Sequence, residues 1–600
     1  MCGIAGHFSF GGAAGPLDLR LIAHRGPDGS GEWISPDGLC WLGSTRLAIL
    51  DLSPTGAQPM NDPVTGNVIV VNGEIYNHRS LRVEIGKAVS WRGTSDTETL
   101  LNGYAHWGRN VLDRLKGMFA FAIYDCARQE LFLGRDRLGI KPLYYMLDEA
   151  GFRFASEVRV LADASAAITG DSVAAYLRWG ACPEYRLLLP GIRILPPGQA
   201  MTIGPGAKCN IWRYWPSRKS FVSSPRSAPQ KVRALIETAV DEHLLSDVPV
   251  ASFLSGGIDS SIVTALAAQR LKCKLQTFSV GFEVAGFDES AIALEVAERY
   301  GTEHHWLQLS EEEVLQSVTE AVAKLDLPSV DAINTYVVSR AVAQQGVKVA
   351  LSGLGGDELF GGYPSFRDVP LLKLLAKLPR ALRKILGSNR LVDLPNNAGA
   401  AQLAQWRRRF FTDAMLQQAG LPNEQTPLDL SIELPDDFAL ISWAELTGYM
   451  RHMLLRDADQ MSMAVSLELR VPFLDHELVE YSLGLPAAEK KRYHGVKGLL
   501  VEACRDLLPP AVYRRPKAGF ALPMQTWMAG PLAAFVEDGL RETTARGLLP
   551  ESFVADARVA FRSGHLHWTR LWSMVVLGHF VRRTQSFRRP DENIALHSFA

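Results

Sequence analysis

The sequence predicts two domains of different class. A layered α+β domain fills roughly the first two hundred residues, and an α/β domain with a doubly wound parallel sheet and a helical carboxyl-terminal part follows. Three observations predict this. Short β-like runs punctuated by Gly, Pro, Asn and Asp dominate the start, helices and strands alternate from Gln230, and the chain beyond Pro364 is mostly helical in pattern. With 600 residues, 47% of them hydrophobic and 21% charged, the chain has ample core for more than one domain.

A net charge of −1 gives no electrostatic case for a nucleic-acid or membrane partner. The seven cysteines are odd in number, scattered and without a C-x-x-C pair, so neither a disulfide framework nor a zinc site is indicated. A reducing cytoplasm fits. No basic-then-apolar leader is read, and apolar stretches such as Leu571 to Val581, broken by His579, are too short to span a bilayer.

In chain order, Gly43 to Leu50, Val68 to Val71, Met118 to Tyr124, Leu131 to Leu133, Leu143 to Tyr145 and Phe152 to Ala155 read as strands. Leu100, Leu101, Tyr104 and Trp107 recur at helical spacing, which predicts a helix over Asp96 to Trp107. Sheets with helices outside follow. Gly204-Pro205-Gly206 opens a stretch rich in Ser, Pro and basic residues, so the first domain is expected over 1–205 and a linker over 206–229. Trp212, Tyr214 and Trp215 are expected to pack against one of the domains.

The second domain, expected over 230–582, starts with helix Val232 to Leu245 and strand Val248 to Leu254. After a glycine loop come helix Asp259 to Arg270, strand Leu275 to Gly281, helix Asp288 to Tyr300 and strand His305 to Leu309. Helices Glu311 to Lys324 and Ile333 to Gln345 and strand Val347 to Leu351 complete the alternation. Ligands of such sheets bind beyond the carboxyl ends of the strands. A polar tail over 583–600 is expected to be loosely ordered.

Ser255-Gly256-Gly257-Ile258-Asp259-Ser260 occupies such a position. Its glycines let the backbone approach an anion, its serines add hydroxyl donors, and the following helix aims N–H groups at the same spot. An ordinary Gly-rich strand-to-helix turn has the same look, and the lysine and spacing of the common triphosphate loop are absent. The hexapeptide resembles the loop of ATP pyrophosphatases, which implies that Asp259 holds Mg²⁺ on the phosphates.

At the other end stands Met1-Cys2-Gly3-Ile4-Ala5-Gly6. Removal of Met1 would leave Cys2 an α-amine titrating near ~7.7–8, a base carried by the nucleophile's own residue. Three polar features join it. Arg46 precedes the apolar Leu47, Ile49 and Leu50, Asn72-Gly73-Glu74 follows a buried-looking strand, and Asp96 opens a helix. Singly, a solvent-facing arginine, a turn and a helix N-cap would explain them.

Six motifs in order carry a family resemblance: M-C-G-I-A-G, H-R-G-P-D-G-S-G (His24 to Gly31), T-R-L-A-I-L-D (Thr45 to Asp51), V-N-G-E-I-Y-N (Val71 to Asn77), G-T-S-D-T-E (Gly93 to Glu98) and G-R-D-R-L-G-I-K-P-L-Y-Y (Gly134 to Tyr145). They resemble the class II glutamine amidotransferase domain, an αββα N-terminal nucleophile fold. With S-G-G-I-D-S-S the whole chain resembles the glutamine-hydrolysing asparagine synthetases. The resemblance implies Cys2 as nucleophile, with the Asn72 amide and Gly73 N–H stabilising the oxyanion. It implies glutamine binding by Arg46 on the carboxylate, Glu74 and Asp96 on the ammonium, and Leu47, Ala48, Ile49 and Leu50 lining the pocket.

For the second domain the resemblance implies an ATP site at Leu254, Ser255, Gly256, Gly257, Asp259, Ser260, Val280, Ser352 and Gly353. Asp357, in Ser352-Gly353-Leu354-Gly355-Gly356-Asp357-Glu358, would join Asp259 around Mg²⁺, and Lys497 would neutralise the adenylated intermediate. An acid-bearing helix N-terminus would equally explain Asp357-Glu358, and a solvated helix residue Lys497. Leu455 to Met463, Glu468 to Asp475 and R-P-K-A-G-F (Arg515 to Phe520) also match the family. The stretch 365–434 resembles no motif.

One departure bears on the acceptor. Asparagine-forming members carry Glu where this chain has Leu354, and leucine can do no acid–base work. The implied activity is an ATP-dependent amide ligase acting on glutamine, ATP and a carboxylate: aspartate in one reading, a uronic acid of a surface polysaccharide in another. A regulatory protein on a dead amidotransferase scaffold is a third reading. Cys2, Arg46, Asp96, Asp259 and Asp357, kept together, count against it. A homodimer is compatible with the resemblance.

Overall fold

The computed structural model describes residues 2–162, 167–215, 227–282, 290–385, 391, 393–423, 427, 432–514 and 522–584. Residues 216–226 of the expected linker, the start of the expected helix at Asp288, the 515–520 motif and nearly all of the tail lie outside them.

Two six-stranded antiparallel sheets make the first domain. One has the order Arg193–Ile194, Tyr144–Leu147, Gly151–Ala155, Cys2–Ser9, Cys40–Arg46, Gly29–Ile34. The other runs Lys208–Arg213, Gln199–Gly204, Glu130–Arg135, Gly117–Asp125, Val68–Ile75, Met60–Asn61. Side-chain alternation makes the layers. Cys2, Ile4 and Phe8 enter a core shared with Val68, Val70, Ala120 and Ala122 of the facing sheet, whereas Ala5 turns to the other side with Tyr176 and Leu177 of helix Gly170–Trp179. On the far face of the second sheet, Ile69, Val71, Phe119 and Phe121 are covered by helices His78–Ile85 and Asp96–Trp107. Helix, sheet, sheet, helix is the predicted αββα order, with the strand that begins at Cys2 inside it.

Two boundaries differ from expectation. The strand expected over Gly43 to Leu50 ends at Arg46, because residues 47–51 turn to the second domain: Asp247 N–H donates to Ile49 C=O at 3.0 Å and Asp51 N–H to the Asp247 carboxylate at 2.8 Å. Gly204-Pro205-Gly206, read as the start of a linker, turns a hairpin instead, since Gln199–Gly204 pairs with Lys208–Arg213. The first domain therefore continues past 205. Tyr214 and Trp215 N–H both donate to Gly198 C=O, and Trp215 packs on Trp443 of the second domain.

The second domain holds a five-stranded parallel sheet ordered Glu303–Leu309, Gln276–Phe282, Val250–Phe253, Val349–Leu351, Glu468–Arg470. The first four match the alternation read from sequence. Strand order reverses at Val250–Phe253, so the loops after it and after Val349–Leu351 open into one crevice. Among the carboxyl-terminal helices, Trp568–Thr584 packs against Gly170–Trp179 of the first domain, where Tyr176 OH donates to Ser573 C=O at 3.0 Å. No helix among the described residues is long and apolar enough to cross a membrane.

Candidate active sites

Cys2 lies on a central strand opposite Arg46. Its backbone nitrogen is 3.4 Å from Asn72 Oδ1, and Gln58 Nε2 is 3.9 Å from its Sγ. Gln58, which no motif singled out, is fixed by Val71 N–H donating to its Oε1 at 2.7 Å. Burial raises the thiol pKa, while the Leu47 N–H and Arg46 oppose the rise. Asn72 is fully buried, yet its Nδ2 has no hydrogen-bond partner among the described residues. Leaving such a donor unpaired costs about 1–3 kcal/mol. It belongs to the side chain whose Oδ1 is 3.4 Å from the Cys2 nitrogen. Next to it Gly73 has φ +149°, and a Cβ would come within 2.1 Å of Met118 O, so only glycine permits this backbone.

Glu74 and Asp96 are both buried. Asp96 sits in the first helical turn, its carboxylate accepting from Ile75 and Thr97 N–H at 2.8 Å each, while Ser95 is the N-cap. Burial raises both carboxyls, Glu74 well above its usual range, against the pull of Arg470 on Glu74 and of the Ile75 and Thr97 N–H groups on Asp96. Such a pair is suited to receive a cation. Arg46 donates to the carbonyls of Ser53, at 3.1 Å, and Asp51. Leu47 and Ile49 bury their side chains in the core that contains Val250 and Leu254, whereas Ala48 and Leu50 are half-buried. The Leu47 to Leu50 segment thus meets Cys2 through the Leu47 backbone.

In the crevice, Ser255-Gly256-Gly257 leads into helix Ile258–Arg270, with Gly256 at φ +69°. Ser260 Oγ accepts from Ser255 N–H at 3.2 Å and lies 3.0 Å from Ser255 Oγ, so the loop closes on itself. The second loop meets it tightly. A Cβ on Gly353 would lie 2.8 Å from Asp259 Cβ, and one on Gly356 2.2 Å from Asp259 Oδ1. Lys497, only 4% exposed and at φ +55°, places its ammonium between Asp259 and Asp357, 2.6 Å from the latter. Burial alone would lower its pKa. The two carboxylates overcome that and raise it, so the ammonium stays charged. Asp259 and Asp357 therefore converge within reach of one cation. Mg²⁺ held by one or two carboxylates plus substrate phosphates fits them.

Leu354 offers no acid here and packs partly into the surrounding apolar cores. Glu358 is fully buried, accepts from Tyr363 OH at 2.6 Å on one oxygen, and leaves Oε2 without a partner among the described residues. Burial, reinforced by Asp357, pushes its carboxyl up to about 7. The sign follows from linkage. As pH rises from about 4.5 to about 7 the unfolded chain ionises while folded Glu358 keeps its proton, so the folded protein loses stability. Glu358→Gln is expected to remove that loss, gaining up to ~3 kcal/mol on wild type across the window. Thermal unfolding of both proteins over this pH range measures it, and parallel curves would refute the assignment.

Arg470 joins the two sites. Fully buried, its guanidinium lies 2.6 Å from Glu468 and 3.4 Å from Glu74, and its carbonyl accepts from Ser352 N–H at 2.8 Å. Its motif, Glu468 to Asp475, carries no role in the sequence analysis above. The available signal was two charged residues, Glu468 and Arg470, inside a short strand. Nearby a cavity of about 20 Å³ lies between the domains, walled by Arg25, Arg135, Tyr144 and Glu157 from one and Asp326 and Arg456 from the other.

Residues 1–215 match the glutamine amidotransferase domain family and residues 231–582 the asparagine synthase family. A putative glutamine-hydrolysing asparagine synthetase of Mycobacterium tuberculosis is 34% identical over 96% of each chain. Asparagine synthetase 1 of Bacillus subtilis is 32% identical over 92% of each. Amidase chry2 of Gibberella zeae is 28% identical over 86% of this chain and 85% of its own. A layered amidotransferase domain with Cys2 at its centre, fused to a parallel-sheet domain with a glycine-loop crevice, thus makes this chain a member of the asparagine synthase family and an asparagine synthase-like ligase.

Proposed function

We propose that the chain hydrolyses glutamine at Cys2 and passes the ammonia internally to an acyl-adenylate formed from ATP and aspartate. Cys2 Sγ attacks the amide carbon, ammonia leaves, and water cleaves the thioester to glutamate. Asn72 Nδ2 and Gly73 N–H take the oxyanion, Glu74 and Asp96 the α-ammonium, and Arg46 the α-carboxylate. In the crevice an acceptor carboxylate oxygen attacks the α-phosphorus of ATP and pyrophosphate leaves; ammonia then displaces AMP. Leu254, Val280, Ser352 and Gly353 are assigned to the adenosine, and Ser255, Gly256, Gly257 and Ser260 to the phosphates. Asp259 and Asp357 would hold Mg²⁺, which neutralises phosphate charge when bound. Lys497 supplies a fixed positive charge to the adenylated intermediate.

The observation that carries this reading is the unpaired Asn72 amide beside Cys2, a donor kept ready for a charge that only the reaction creates.

Leu354 favours a second reading in which the acceptor is another carboxylate, such as a uronic acid. On that reading wild-type turnover of aspartate is weak, and Leu354→Glu raises it ~10²-fold by restoring an acid–base group. Pyrophosphate release with glutamine, ATP and a panel of acids, with mass-spectrometric detection of the amide, separates the two. Asparagine made by wild type at an ordinary enzymatic rate decides for aspartate. Release that responds to another acid alone decides against it.

A further inference from the structure

Helices Ser365–Leu375 and Arg380–Ile385 lie in the stretch whose sequence resembled no motif. Their inner side is well anchored. Phe366, Val369 and Ala376 belong to a local core with Leu394, Leu403, Trp406 and Phe438. Arg383, 1% exposed, donates to the carbonyls of Leu391 and Leu394 and to Asn396 Oδ1.

The outer side is different. Leu371, Leu374, Leu382 and Ile385 are 59%, 63%, 48% and 80% exposed. Single exposed aliphatic side chains are ordinary, but here four fall within residues 371–385. Spacing of three residues within each pair puts Leu371 with Leu374, and Leu382 with Ile385, on one side of its helix. Lys377, Arg380 and Lys384 are exposed among them and form no ion pair among the described residues. Asp368 is the only acidic residue from Ser365 to Ile385, and Arg367 and Arg407 engage it. Lys373 is paired with Asp437 at 2.7 Å. The outward surface is therefore aliphatic and cationic.

We propose that this helical pair docks the protein on an anionic lipid surface. The aliphatic side chains would enter the boundary between headgroups and acyl chains, while the three basic side chains reach lipid phosphates and carboxylates. A two-fold contact with a second copy fits less well, because it would bring the same cations together. Helices this short lie on a bilayer and do not cross it. The near-zero net charge, which argued against a membrane partner, describes the whole chain and conceals this local cluster.

Sedimentation of the full-length protein with phosphatidylcholine vesicles, with and without phosphatidylserine, tests the proposal. Binding is expected only to the anionic vesicles and should weaken as salt is added. Combined Lys377→Glu, Arg380→Glu and Lys384→Glu substitutions should reduce binding on the order of a hundredfold. Combined Leu371→Ser, Leu374→Ser, Leu382→Ser and Ile385→Ser substitutions should also release the protein, with glutaminase rate and thermal unfolding unchanged. Wild type that ignores anionic vesicles, or charge-reversed protein that binds as well as wild type, overturns the proposal. So does self-association of wild type that the serine substitutions abolish without any vesicle binding, which would assign the face to a second copy.

Discussion

Replacing Cys2 with Ala is expected to lower glutamine hydrolysis ~10⁴-fold or more, since the substitution removes the proposed nucleophile and leaves only the surrounding donors to act on the amide. With ammonium salts as nitrogen source, the same variant should still release pyrophosphate with the true acceptor at nearly the wild-type rate. The separation follows from geometry: Cys2 sits between the two antiparallel sheets, while Asp259, Asp357 and Lys497 line a crevice of the parallel sheet. Processing of Met1 adds a control. The Cys2 nitrogen, 3.4 Å from Asn72 Oδ1, becomes an amine held by that side chain once Met1 is removed. Any residue left in front of Cys2 keeps it a non-basic amide, and hydrolysis should fall nearly as far. Glutaminase activity that survives Cys2→Ala would show that another group attacks the amide.

Much of this arrangement is legible in the sequence, and the gaps have physical causes. Strands such as Gly117–Asp125 announce themselves through continuous apolar runs, and the glycine loops of the crevice through composition. Cys2–Ser9 escapes the strand reading because three of its first five residues, Gly3, Ala5 and Gly6, are too small to set a visible alternation. They are small for a reason of packing: a Cβ on Gly6 would come within 2.1 Å of the Phe154 ring. Glu468–Arg470 escapes because three residues carry no period, and its place at the sheet edge is set by pairing with Val349–Leu351. The hairpin at Gly204-Pro205-Gly206 has the composition of a linker, and only its pairing partner distinguishes the two. Leu47 to Leu50, pocket lining by what the resemblance implies, also makes a contact between the domains. The Leu47 and Ile49 side chains are buried in the second domain's core, a contact no local pattern encodes.

Asp259→Asn is expected to abolish acyl-adenylate formation with either nitrogen source, by on the order of 10³-fold, while basal glutaminase activity persists. In the folded protein Lys497 already balances Asp259 and Asp357, one ammonium against two carboxylates, leaving one negative charge to spare for a metal ion on the phosphates. The amide in place of Asp259 cancels that surplus. It also frees Lys497 to pair with Asp357 alone, 2.6 Å away, so both partners turn from the phosphates toward each other. On the proposed function raised Mg²⁺ should restore little, because the lost group would be a ligand whose geometry concentration cannot supply. The structure argues against simple unfolding as the cause: Asp259 is partly solvent-exposed, and asparagine preserves its shape beside Gly353 and Gly356. Pyrophosphate exchange at saturating Mg²⁺ is the measurement. Normal exchange in the variant would place the triphosphate elsewhere and withdraw the role given to the loop at Ser255.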